Sequence, residues 1–198
     1  MIVVYHAGHE IELPPDSMII IKRASERDYE SLANEDLKIE FDGECLYIHS
    51  PASKLHENVV FNLMAIFKRH VSQSPFLGDI IGSKFALKLP NGKRPEPDVV
   101  VVPRGAVADN DSVYEGVPPL VVEVLSTSTK DHDLNIKHTW YEESHVPEIW
   151  YVDLEGHKVT VLRLSKDGTY TSTDYAKDVI ICEALGRLEI PLADIFTT

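Results

Sequence analysis

The chain is short of almost everything that marks the common catalytic motifs. It has two cysteines, Cys45 and Cys182, far apart and in no CxxC pair. That points to reduced core thiols rather than a disulfide framework, and it excludes a cysteine-built zinc site. No HExxH, GxSxG, P-loop or Rossmann glycine pattern occurs. His132 and His138 do not share a helix face, and His6 and His9 have no neighbouring ligand motif, so catalytic zinc is not expected. No apolar run approaches the roughly 18 residues of a membrane span. The apolar opening is broken at His6 and lacks a basic flank, so a signal peptide is not expected and a cytoplasmic location is.

Positive charge is also scarce: 19 Lys and Arg stand against 32 Asp and Glu, a net charge of −13. A non-specific nucleic-acid binder normally carries a basic excess, because phosphate neutralisation supplies much of its affinity. Any nucleic-acid role therefore needs a local basic patch or a metal. Carboxylates clustered to bind divalent cations would give the same acidity. With 198 residues and no repeat, low-complexity tract or linker, one domain is expected. It spans residues 25–198, after an extended arm over residues 1–24 that includes Pro14 and Pro15 and can pair with a sheet edge or a second subunit.

What is present centres on two valine-rich runs, 94–103 and 118–126. Each is bounded by proline and reads as a strand buried on both faces. Each also carries a carboxylate where burial should forbid one, Asp98 at the mouth of the first and Glu123 within the second. An ionised carboxylate in an apolar strand needs a partner, either an ion pair or a bound cation. Two adjacent cases favour a metal site.

The remaining chain surrounds these runs. Ser25 to Asp28 resembles a capping box opening a short helix to about Ala33. Residues 38–41 and 44–48 flank Asp42-Gly43, a hairpin signal, with Glu40 on the first strand. From Lys54 to Val71, Leu55, Val59, Leu63 and Phe67 fall at helical spacing, with Ser53 as cap and His56 and Glu57 in the first turn. Glu57 there also suits the helix dipole. Residues 84–89 alternate as a half-buried strand, and the polar segment 104–117 reads as a loop. The cluster 126–129 offers several N-caps to a helix over 130–144. Asp133, Lys137 and Tyr141 share one face of that helix, while Ile136 and Trp140 lie on another. Residues 146–153 form a third buried strand, and a helix crossing between two strands implies a parallel pair. The expected fold is α/β, with a central mixed sheet flanked by helices.

The ordered set of Glu40 to Gly43, Ser53 to Glu57, Pro97-Asp98, Pro119 to Ser126, Thr129 with Asp133 and Lys137, and Val146 to Asp153 resembles the PD-(D/E)XK nuclease superfamily. More narrowly it resembles the Uma family of restriction-endonuclease-like proteins, carried as a domain of unknown function. The resemblance implies a restriction-endonuclease-like fold and a divalent-metal-dependent DNA endonuclease, cleaving phosphodiester bonds with Mg²⁺ or Mn²⁺. It implies Asp98, Glu123 and Glu57 as metal ligands and catalytic residues. Glu40, His56 and Tyr141 would support them, and the backbone carbonyl of Val124 is a further candidate ligand. The lysine expected two residues after Glu123 is Leu125, which cannot polarise a phosphate. The resemblance implies that Lys137, displaced onto the next helix, takes that role; the alternative is a lysine paired with Asp133 at i, i+4.

Two rival readings stand beside this one. The acidic charge and Leu125 fit a non-catalytic binding or assembly module on a decayed nuclease fold, with a homodimer formed through the arm. A carboxylate-pair glycosidase is the weaker rival, since no aromatic sugar platform is evident and Lys137 would have no role.

Overall fold

The computed structural model describes residues 2–6, 9–13, 17–33, 37–73, 78–127 and 129–197. Pro14 and Pro15, and Ser128 of the cap cluster, lie outside the described residues. The chain opens with β1 (Ile2–His6) and β2 (His9–Leu13), an antiparallel pair. Next come β3 (Met18–Lys22), α1 (Glu26–Leu32), β4 (Lys38–Phe41), β5 (Cys45–His49) and the long helix α2 (Lys54–Gln73). Strands β6 (Gly78–Gly82), β7 (Ala86–Lys88), β8 (Val99–Pro103), β9 (Val113–Glu115) and β10 (Leu120–Leu125) follow. A π-helical stretch, His132–Lys137, runs directly into α3 (His138–Glu143). The chain ends with β11 (Glu148–Asp153), β12 (Lys158–Leu164), β13 (Tyr170–Tyr175), β14 (Val179–Cys182), β15 (Leu188–Pro191) and α4 (Leu192–Ile195).

Six strands form the central sheet in the order β13-β12-β11-β10-β8-β6. The β10–β11 pair is parallel, joined by the π-helical stretch and α3, and the other pairings are antiparallel. The crossover and the mixed sheet are therefore as the chain order implies. Side chains of β10 alternate between two cores. Leu120, Val122 and Val124 join Val99 and Val101 against Val59, Val60, Leu63 and Phe67 of α2. Val121 and Leu125 join Val100 and Val102 in a second core with Trp140, Tyr141 and Tyr151. Each fully buried aliphatic side chain contributes about 1.5–3 kcal/mol.

Residues 18–22 of the arm are extended as strand β3 and pair with β5 at the edge of a three-stranded sheet β3-β5-β4. Other local expectations change. The β4–β5 turn is centred on Gly43 and Glu44 rather than on Asp42-Gly43: Asp42 pairs with Cys45, and Gly43 takes the left-handed φ of +94°. The Asp42 carboxylate accepts from the Glu44 and Cys45 N–H groups, so it buttresses the turn. Leu55 is exposed rather than part of the core, although it falls at the helical spacing of α2. The 104–117 loop contains β9, which pairs with β7 in parallel.

Candidate active site

Asp98 immediately precedes β8, and the β8–β10 pairing ends at Val99 with Val122, leaving Asp98 and Glu123 each one residue beyond the last pair. Both side chains are almost fully buried. Asp98 is held by three donors. Its Oδ2 accepts from Val124 N–H at 2.8 Å and faces His56 Nε2 at 3.2 Å, while Oδ1 lies 2.8 Å from Lys38 Nζ. Burial opposes its charge, yet Lys38 and then His56 hold the carboxyl far below the usual range.

Glu123 belongs to a second group behind it. Lys137 Nζ lies 2.6 Å from Glu123 Oε1, 2.8 Å from Glu40 Oε1 and 3.5 Å from Asp133 Oδ1. The Tyr141 hydroxyl donates to Glu123 Oε1 at 2.5 Å. Lys137 is 0% exposed, and despite that burial its carboxylate neighbours hold it charged, well above the ordinary lysine value. Burial pushes Glu123 up to about 8, with Lys137 opposing the shift and Asp133 and Asp98 reinforcing it. Glu40 moves the other way. Burial raises it, but Lys137, His49 and His132 together hold it well below the ordinary value.

The π-helical stretch accounts for part of this convergence. Asp133, Lys137 and Tyr141 are all buried on the sheet side, as their spacing implies. His132 is buried too and reaches Glu40 Oε2 at 2.8 Å, beside His49 Nε2 at 3.0 Å from the same oxygen. Sequence spacing gave no sign of either histidine. These three donor atoms lie within 4.8 Å of one another, the composition of a transition-metal site. Two observations make the trio an anchor for Glu40 instead. Lys137 already neutralises Glu40, and His132 Nδ1 is buried with no hydrogen-bond partner among the described residues. A metal-bound histidine normally donates its second N–H to an acceptor.

The structure does not bring Glu57 into either group. Its side chain is 58% exposed, with Oε1 3.8 Å from His56 Nδ1. It stands at the edge of a cavity of about 430 Å³ whose lining includes Asp98, His56, Asp133, Thr129, Lys38 and Lys84. Lys38, Thr129 and Asp133 thus meet Asp98 in this space, while Lys137, Glu123 and Glu40 lie outside its lining. Lys38 is the cavity residue that sequence reading missed. On a hairpin strand it reads as an ordinary solvated lysine.

As donors, Asp98, Glu123 and Asp133 are carboxylate oxygens, the set a hard divalent cation takes. The hydrogen bond and the closest ion pair to Glu123 both fall on Oε1. The donor types suit such an ion, but among the described residues Asp98, Glu123 and Asp133 do not form a trio within 4.8 Å as Glu40, His49 and His132 do, and Lys38 already occupies Asp98 Oδ1.

A family model named Uma2 and described as "Putative restriction endonuclease" matches residues 26–193. Among curated proteins, none matches the sequence. The chain is similar in structure to a putative nuclease of DUF820 from Anabaena variabilis ATCC 29413, at 13% identity and a TM-score of 0.69. That likeness covers 87% of this chain and 97% of the other, and it shows that the two share a fold.

Proposed function

We propose, from the premise that this chain belongs to the Uma2 family of putative restriction endonucleases, that it is a Mg²⁺-dependent DNA endonuclease. It would hydrolyse phosphodiester bonds at the cavity beside Asp98, with Mn²⁺ able to substitute. The observation that carries the reading is that Asp98 and Glu123 each lie one residue beyond the last paired residues of adjacent strands, Val99 and Val122, with a buried lysine 2.6 Å from Glu123. A restriction-endonuclease-like family points to divalent-metal use, and the oxygen donors of this site suit Mg²⁺ better than zinc.

Asp98, Glu123 and the neighbouring Asp133 would hold the ion. When bound, it would lower the pKa of water and screen charge on the phosphoryl group. The protein does the rest. Val124 N–H and His56 orient Asp98 so that its Oδ1 points to the cavity side occupied by Lys38. Lys137 keeps Glu123 and Glu40 in place from behind the cavity. Tyr141 orients Glu123 through its hydroxyl. The cavity's Lys38 and Lys84 stand against Glu57, Asp98 and Asp133 in the same lining, so a bound cation would have to offset the acidity of a chain of net charge −13 to receive DNA. Glu57, exposed at the edge, is suited to contacting substrate or a water at the metal. We place the protein in the cytoplasm as a homodimer, with the N-terminal segment as the contact.

The direct test is nicking of supercoiled plasmid in Mg²⁺ or Mn²⁺. Wild type should nick, and Asp98→Ala should neither bind Mn²⁺ nor nick. If wild type binds no divalent ion and cuts no DNA form, the reading fails. One observation favours a second reading, a non-catalytic module on the same fold: Lys137 is wholly buried and shared among three carboxylates. It predicts carboxylate variants that assemble and bind DNA like wild type.

A further inference from the structure

We infer that Lys38 and a divalent cation compete for one oxygen of Asp98, and that the ammonium released by metal binding becomes the cavity's phosphate-contacting group. The inference rests on the reading of Asp98 as a metal ligand.

The two oxygens of Asp98 are held differently. Oδ2 is fixed by Val124 N–H, part of the central strand β10, and by His56 on the first turn of α2. The Val124 N–H cannot withdraw without moving β10, and the His56 ring is itself buried. Oδ1 is held by Lys38 Nζ at 2.8 Å, at the end of a four-carbon stem on the first residue of a four-residue strand. Lys38 keeps 18% of its side chain exposed and lines the cavity. A cation arriving through the cavity therefore meets Oδ1 with a mobile ammonium already on it. Two cations cannot share that oxygen without strong repulsion in a site so poorly solvated. The lysine is the partner with freedom to leave.

Where the ammonium goes follows from the same geometry. Its stem is anchored at the cavity wall, beside Lys84 and the hydroxyls of Ser17, Ser50 and Ser126. Displaced from Asp98, it still faces that space, where a substrate phosphate would sit. Lys137 cannot do this, because it is enclosed by Glu40, Glu123 and Asp133 and does not line the cavity. The two lysines thus divide the work: Lys137 holds the carboxylates, and Lys38 screens one of them until a metal takes over.

The test is Mn²⁺ titration of the full chain by calorimetry, comparing wild type with Lys38→Met, Lys38→Arg and Asp98→Asn. A pair closed about nine-tenths of the time lowers apparent metal affinity about tenfold. Lys38→Met, confirmed folded by circular dichroism, should therefore bind Mn²⁺ about tenfold more tightly, and Lys38→Arg should stay near wild type. Affinity for a short DNA duplex in Ca²⁺ should fall severalfold in Lys38→Met. Lys38→Gln replaces the Met variant if the latter does not fold. Mn²⁺ affinity unchanged or weakened in the neutral variant, with wild type binding and Asp98→Asn not binding, overturns the competition while the metal reading stands. If wild type and Asp98→Asn bind Mn²⁺ alike, or neither binds, Asp98 is no ligand, and the reading and this inference fall together.

Discussion

The two faces of β10 are built from one run of six buried residues and do opposite things. Toward α2, Leu120, Val122 and Val124 meet Val59, Val60, Leu63 and Phe67 in one apolar cluster. Toward the crossover helix, the same strand presents Glu123 to Lys137 and Tyr141. One face is stabilised by area removed from water; the other buries polar and ionisable groups whose desolvation is offset by their contacts with one another. Replacing such a pair with apolar residues of similar volume is often neutral or stabilising, so stability alone gives no reason to keep it. Function does.

That contrast can be broken by substitution. The largest effect should come from Asp98→Ala, which removes the carboxylate proposed as the ligand lining the cavity. DNA cleavage in Mg²⁺ should fall by about a thousandfold or more, the equivalent of several kcal/mol of transition-state stabilisation. Phe67→Ala on the α2 face should leave cleavage within a few fold once the protein is folded.

The next effect is on folding itself. Lys137→Met leaves Glu40 and Glu123 buried without their shared cation, so denaturant unfolding should show a loss of about 3–5 kcal/mol. Phe67→Ala should cost a similar amount, about 3–5 kcal/mol, through the cavity it leaves. The discriminating result is Mn²⁺. Saturating Mn²⁺ should restore part of the stability of Lys137→Met by placing positive charge near the carboxylates, and none of that lost in Phe67→Ala. Equal responses of the two variants would dissolve the distinction between the faces.

The smallest effect concerns a buried carboxylate at the other end of the sheet. Glu148 accepts from Trp150 Nε1 and from Ala184 N–H, both at 2.8 Å, with Arg163 Nη2 3.5 Å away. Burial raises its pKa, only partly offset by these donors. Between the ordinary glutamate value and that raised value, the folded state therefore binds more protons than the unfolded one. Stability from this group is fully present at lower pH and declines as pH rises through the window. Glu148→Gln should flatten that part of the stability-against-pH curve and leave cleavage unchanged. An unaltered slope would show that Glu148 does not titrate there.

Much of the scaffold was legible in the sequence for a physical reason. The strands β8, β10 and β11 are continuous apolar runs between breakers, and α2 shows strict helical spacing, so local pattern and tertiary burial agree. Asp98 and Glu123 stood out because they contradict their surroundings. Lys38, His49 and His132 did not, because a polar residue on a hairpin or near a helix start matches its local pattern, and only the packing of β4 and β5 against the crossover brings them inward. The π-helical turn at 132–137 is set by that packing and has no signature in residue spacing. Glu57 misled in the other direction: its place in the first turn of α2 is real, but that turn aims it at solvent.

The central claim is that one hard divalent cation is held by Asp98 and Glu123 on the polar face. Anomalous X-ray scattering from crystals grown with Mn²⁺ locates that ion directly. The account predicts a peak in contact with carboxylate oxygens of Asp98 and Glu123, with Lys38 withdrawn from Asp98. A peak at Glu40, His49 and His132 instead, or none with the Lys38–Asp98 pair intact at saturating Mn²⁺, would contradict it.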